Sequence, residues 1–246
     1  PENFTAWMGD HAEMEKMQTR TVNPLRIPRE IWQELGEIAE FWKGQTLVEQ
    51  CYAQFSTEIL KARQALVFTV SLEKNAMGHC VLDYPALLAK GYHGVREEIL
   101  GKMRDLGCTS SRAAGCQQFW EAALIICDAV CCFSERYAEL AEELAGKEQS
   151  AKRRTELKEI ARICRRVPAG PAQSFYEALH AVWLTHLVNC LETNAYSMSF
   201  GRLDQYLIQY LQEDLQSGSI SREWAQELLN CFWCKTNEII HLEITF

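Results

Sequence analysis

Apolar residues recur along most of the chain at spacings of three and four, the period of helices that bury one face. Phe175, Leu179, Val182, Trp183, His186, Leu187, Cys190 and Leu191 follow this spacing with further apolar residues between them. Most of that helix's circumference is therefore expected to be buried. Pro168 and Pro171 stop whatever precedes it, and Ser174 with Glu177 three residues on gives a capping-box pattern at its start. After Glu192 the period falls to two: Tyr196, Met198 and Phe200 share one side, Ala195, Ser197 and Ser199 the other. This alternation predicts a short strand ended by Gly201 and Arg202. The helical period returns at Leu203, Tyr206, Leu207, Tyr210, Leu211 and Leu215, with Asp204 in the first turn and Gly218 just past the end.

The remainder is read the same way. Residues 1 to 30 carry no clear period, and Pro28 sits in the first turn of a helix through Ile31, Leu35, Ile38 and Phe41 that ends at Gly44. One helix is expected from Thr46 through Leu47, Cys51, Phe55 and Ile59, then a short strand over residues 66 to 70. Residues 75 to 84 form a turn-like entry to a helix opened by Pro85 and closed by Gly91, and another helix covers residues 94 to 103. After a loop over residues 108 to 115, Trp120 to Leu144 trace one long amphipathic helix ending at Gly146. A charged connector follows, then a helix through Leu157 and Cys164 that Val167 and Pro168 must stop. Ser221 caps a final helix through Trp224, Leu228 and Phe232. The fold class is mainly α with a few short strands.

Composition narrows the functional classes. A chain of 246 residues can bury a sizeable core as one large domain or two small ones. Its net charge of −8 and lack of a basic face argue against nucleic acid as a partner. The apolar run from Ala122 to Phe133 is short for a bilayer and contains Asp128, and no leader is visible at Pro1. No membrane segment or signal peptide is expected. Eleven cysteines, an odd number, fall largely on apolar helical faces (Cys127, Cys131, Cys164, Cys190), as reduced thiols in a cytoplasmic setting do.

Few constellations carry chemistry on spacing alone. Cys231 and Cys234 have redox or zinc spacing, but on a helical pattern without a second pair they are expected to pack in the core. His186 and Cys190 share a helix face at i, i+4 with no evident third ligand, so a buried neutral histidine is expected and no metal. His79 follows Gly78 in a polar turn, where an imidazole can meet a substrate oxygen.

The runs VPAGPAQSFYEALHAVWLTHL and LETNAYSMSFGRLDQYL resemble glycyl radical enzymes of the pyruvate formate-lyase type, close to the branch of dehydratases, decarboxylases and other lyases. FWEAALIICDAVCCFSERYAELAEELA, GHCVLDYPALLAKGYHGVREEI and FWKGQT extend the resemblance over nearly the whole chain. It implies that residues 1–246 are a partial pyruvate formate-lyase-like domain, within the N-terminal half of a ten-stranded α/β barrel. The region of the active-site cysteine and the C-terminal glycyl radical domain would lie elsewhere. No catalytic residue is then expected in this chain, and no bound cofactor.

The resemblance further implies an intact parent that cleaves or dehydrates a small polar substrate by thiyl-radical hydrogen abstraction. Its glycyl radical would be installed by a radical SAM activating enzyme, on a cytoplasmic homodimer. His79 and Ser197 match substrate-contacting positions of related glycerol dehydratases. Tyr196 stands where those enzymes carry a second histidine, which argues against glycerol; it either lines the site or sorts with Met198 and Phe200 in the core. Glu192, Asn194, Arg202 and Asp83 are expected to support the site, Arg202 through a structural ion pair with Asp204 or Glu192. The competing reading is a non-catalytic helical binding module from a truncated gene product, and a metal module on Cys231, Cys234 and nearby histidines is the weakest.

Overall fold

The computed structural model describes residues 11–21, 24–68, 80–105, 111–193 and 197–239. They form α1 (His11–Thr19), a 3-10 turn (Arg29–Ile31), α2 (Trp32–Trp42), α3 (Leu47–Ala53), α4 (Thr57–Gln64) and α5 (Tyr84–Asp105). α6 (Ser111–Lys147), α7 (Ala151–Arg166), α8 (Phe175–Thr193), α9 (Leu203–Ser217) and α10 (Arg222–Thr236) follow. The chain divides into two compact units, one of Pro1–Cys80, Asn189–Met198 and Ile240–Phe246, the other of Val81–Val188 and Ser199–Ile239.

In the first unit α1 is a helix where no period was legible, held by the complete burial of Met14, which clusters with Ala39, Ile27, Trp32 and Leu35. The single helix expected from Thr46 is two. Thr46 and Glu49 close a capping box over α3, while Ser56 accepts from the Ile59 amide and starts α4 afresh. A side-chain oxygen that satisfies a new helix's first donors favours a break over continuation. Within the strand expected over 66 to 70, Leu66 and Val67 lie in a turn and bend, with Leu66 at φ 55; residues 69 and 70 lie outside the described residues.

The larger unit holds the main core. Tyr84, Leu87, Leu88, Ile163, Phe175, Val182, Leu207, Leu228 and Phe232 are buried together, with contributions from α5 and α7 to α10. Gly91 divides α5 as its sequence position suggests, at φ 64 and ψ 177. There the residue 167–172 loop comes close: the Tyr92 and His93 amides donate to the Pro168 and Ala169 carbonyls at 2.9 and 2.8 Å. A Cβ at Gly91 would lie 2.4 Å from Ala169 O. The Val167–Pro168 peptide bond is cis, and Ser134 of α6 places its hydroxyl against the Cys164 and Val167 carbonyls at 2.6 and 3.0 Å.

α6 begins at Ser111, inside the stretch expected to be a loop. It packs along α7 through Ala138, Ala141, Ala161 and Cys164, and Arg165 binds Glu135 and Glu142 across the pair. Over Ala114–Lys147 α6 is long and apolar enough to cross a membrane by length and composition, and little of its most apolar stretch is buried within the structure. Phe119, Ile125 and Ile126 are exposed on it.

Among the described residues there is no strand; the one β contact is an isolated parallel bridge between Val81 and Ser199. The strand expected after Glu192 therefore fails over residues 197 to 200. Ser197 sits at φ 54, in the left-handed region, and this breaks the extended geometry that alternation requires. Residues 194 to 196 lie outside the described residues.

Candidate functional site

Each unit brings a pair of sequence-distant residues together. In the smaller unit Cys80 Sγ lies 3.1 Å from Met198 Sδ; in the larger, Val81 pairs with Ser199 at the same sequence separation of 118 residues. Gly201, at φ 66, faces Val81 so closely that a Cβ would lie 2.9 Å from Val81 Cγ1. Only a residue without a side chain keeps that approach. Ser199 Oγ accepts from the Gly201 amide at 3.1 Å and fixes the turn into α9.

Behind this pairing lies an aromatic cluster. The Tyr84 hydroxyl is 2.8 Å from His186 Nδ1, and the His186 ring stacks on Phe200 with centroids 3.8 Å apart. Tyr84 also stacks on Tyr206 at 5.6 Å, and Tyr206 donates to the Phe200 carbonyl at 2.8 Å. Burial pulls the His186 imidazole down to about 4, so it is neutral at physiological pH. This matches the expected buried neutral histidine.

The site residues expected from sequence are placed unevenly. His79, Tyr196 and Asn194 lie outside the described residues. Ser197 is exposed, in a left-handed conformation uncommon for a residue with a side chain. Arg202 forms a two-pronged pair with Asp204 at 3.0 and 2.8 Å, both side chains about two-thirds exposed. Asp83 accepts from the Ala86 amide at 3.1 Å and so caps α5. Glu192 is exposed at the end of α8.

Cys231 and Cys234 are exposed rather than packed in the core, because Ala225, Leu228 and Phe232 define the buried face of α10. No cluster of potential metal ligands occurs among the described residues. The chain also contains one Cys-x-Glu, Cys190-Leu191-Glu192. On a helix, residues two apart point in nearly opposite directions. Cys190 is 5% exposed with its thiol pushed up to about 11 by burial, whereas Glu192 faces solvent. The two cannot act on one substrate atom.

A sequence profile of the family described as pyruvate formate lyase-like matches residues 1–245. The chain is 32% identical over 245 residues to the probable dehydratase YbiW of Escherichia coli, covering 97% of this chain and 30% of that protein. It is 32% identical over 252 residues to the isethionate sulfite-lyase of Oleidesulfovibrio alaskensis, covering 96% and 30%. A solved structure concerned with 1,2-propanediol dehydration in Roseburia inulinivorans superposes with a TM-score of 0.84 at 36% identity, covering all of this chain and 29% of that one. The chain thus spans about 30% of the length of these curated relatives.

Proposed function

The chain belongs to the pyruvate formate lyase-like family of glycyl radical enzymes, and from this we propose that it is the substrate-orienting part of a glycyl radical lyase or dehydratase acting on a small polar molecule. The observation that carries the reading is a pairing of residues 118 apart within each unit, Cys80 with Met198 in the smaller and Val81 with Ser199 in the larger. His79 immediately precedes Cys80, and Ser197 immediately precedes Met198. The relatives' names support a carbon–oxygen or carbon–sulfur bond as the one broken.

The residues present do not supply the radical. The one Cys-x-Glu is split across α8, and no glycine sits in an Arg-Val-x-Gly-Tyr setting. In the intact protein a glycyl radical would supply hydrogen abstraction through a cysteine. The part of this chain is to bind and orient. His79 would donate or accept a hydrogen bond at a substrate oxygen, and Ser197, exposed and held left-handed, would present its hydroxyl to a second. Tyr196, larger than histidine and not titrating near neutrality, would set a different pocket shape from that of a glycerol enzyme.

The barrel setting, a radical SAM activating enzyme as partner, a homodimeric parent and a cytoplasmic location belong to the same proposal. Its test is His79→Ala in the full-length gene product after anaerobic activation. Turnover is expected to fall at least about 10²-fold if the imidazole positions substrate. Unchanged turnover overturns the assignment.

A further inference from the structure

We infer that Tyr84 and His186, with Phe200 stacked on the His186 ring, are positioning residues that set the alignment of Val81 against Ser199. The inference rests on the reading above, that these segments orient a substrate.

Three observations carry it. Tyr84 is fully buried and begins α5, three residues after Val81, so the angle of its ring constrains the path of Leu82 and Asp83. The Tyr84 amide donates to the Leu82 carbonyl at 2.9 Å and makes that entry a tight turn. Phe200 follows Ser199 directly, its ring on His186 at 3.8 Å and its carbonyl held by the Tyr206 hydroxyl. Each partner of the Val81–Ser199 pairing is thus tied to a residue that contacts His186.

The chemistry of the pair also matters. Phenylalanine and leucine would fill the same space without burying polar atoms, and burying an imidazole costs free energy. What a hydrogen bond adds is direction: the 2.8 Å contact fixes both the Tyr84 ring and the imidazole plane on which Phe200 lies. Sliding either segment by one residue would break the contact or the stack.

The experiment uses the full-length gene product before activation, with amide hydrogen exchange read by mass spectrometry. Tyr84→Phe is expected to speed exchange at residues 80–83 and 198–201 by about tenfold or more, with residues 178–185 of α8 unchanged. His186→Gln, which keeps a hydrogen-bonding group, is expected to restore much of the protection that His186→Leu loses. Unaltered exchange at both segments in Tyr84→Phe, or exchange raised uniformly through α8, overturns the inference. After activation, Tyr84→Phe is expected to raise KM by about tenfold with a smaller change in kcat. A wild-type protein that turns over no diol, hydroxy acid or hydroxysulfonate sinks the functional reading, while the exchange arm still decides the positioning role.

Discussion

The Tyr84 hydroxyl and His186 Nδ1 lie 2.8 Å apart, a polar contact set among the rings of Phe200 and Tyr206. Tyr84→Phe keeps the stacking and removes only the hydroxyl, leaving a buried imidazole nitrogen without that partner. Loss of about 1–3 kcal/mol of stability is expected. Urea unfolding that shows no change would mean the contact contributes nothing.

Among the glycines of the described residues, Gly91 is the one least able to change. A Cβ there would meet Ala169 O and Gly170 C at 2.4 Å, at a φ of 64 that disfavours any side chain. Gly91→Ala is expected to cost about 3 kcal/mol or more, by strain and by displacing the residue 167–172 loop. Gly115 of α6 has open space around it, and Gly115→Ala should stabilise by roughly 0.5–1 kcal/mol. Thermal unfolding of the two variants should move in opposite directions.

Glu177 gathers the first turn of α8. Its carboxylate lies 2.9 Å from Arg162 Nη1 and 3.0 Å from Arg166 Nε, and accepts from the Gln173 amide at 2.9 Å. The Phe175 amide donates to Asp214 of α9 at 2.7 Å. Glu177→Gln should cost about 2–3 kcal/mol, less than for a fully buried pair because both arginines are partly exposed. Asp214→Ala should cost about 1 kcal/mol as a lost cap. Equilibrium unfolding measures both, and equal losses would contradict the burial argument.

Acid should weaken the fold through two imidazoles. Burial pulls His180 and His186 from 6.5 to about 4. The unfolded chain therefore binds protons that the native state refuses. The stability so conferred is complete above pH 6.5 and is lost progressively as pH falls toward 4, on the order of 3 kcal/mol for each group. The unfolding midpoint should drop across that window, and His186→Gln should flatten the slope. A slope identical to wild type would contradict it.

Much of the helical scaffold was legible because it is written in local signals. Ser174, Glu177, Ser221, Gly91, Gly218 and Pro168 mark ends by capping, left-handed freedom or the lack of an amide, and the structure uses each of them there or within a residue or two. The misreadings share a cause. Ser56 breaks a helix by a side-chain bond that hydrophobic spacing does not register, and Ser197 abandons an alternating pattern by one backbone rotation. Cys231 and Cys234 show that spacing says less than the face on which Phe232 lies. The Tyr84–His186 contact joins residues 102 apart in sequence and has no local signature. Of the residues named for the candidate site, Arg202 pairs with Asp204, a contact readable from charge and spacing, and Asp83 caps α5.

The most direct measurement is electron paramagnetic resonance of the full-length gene product after anaerobic incubation with a radical SAM activating enzyme, followed by addition of candidate diol, hydroxy acid and hydroxysulfonate substrates. A protein-based glycyl radical, with consumption of one such substrate that fails in His79→Ala, is the result this account predicts. A protein that forms no radical under conditions that activate a related dehydratase, or turns over substrate equally well without His79, would contradict it.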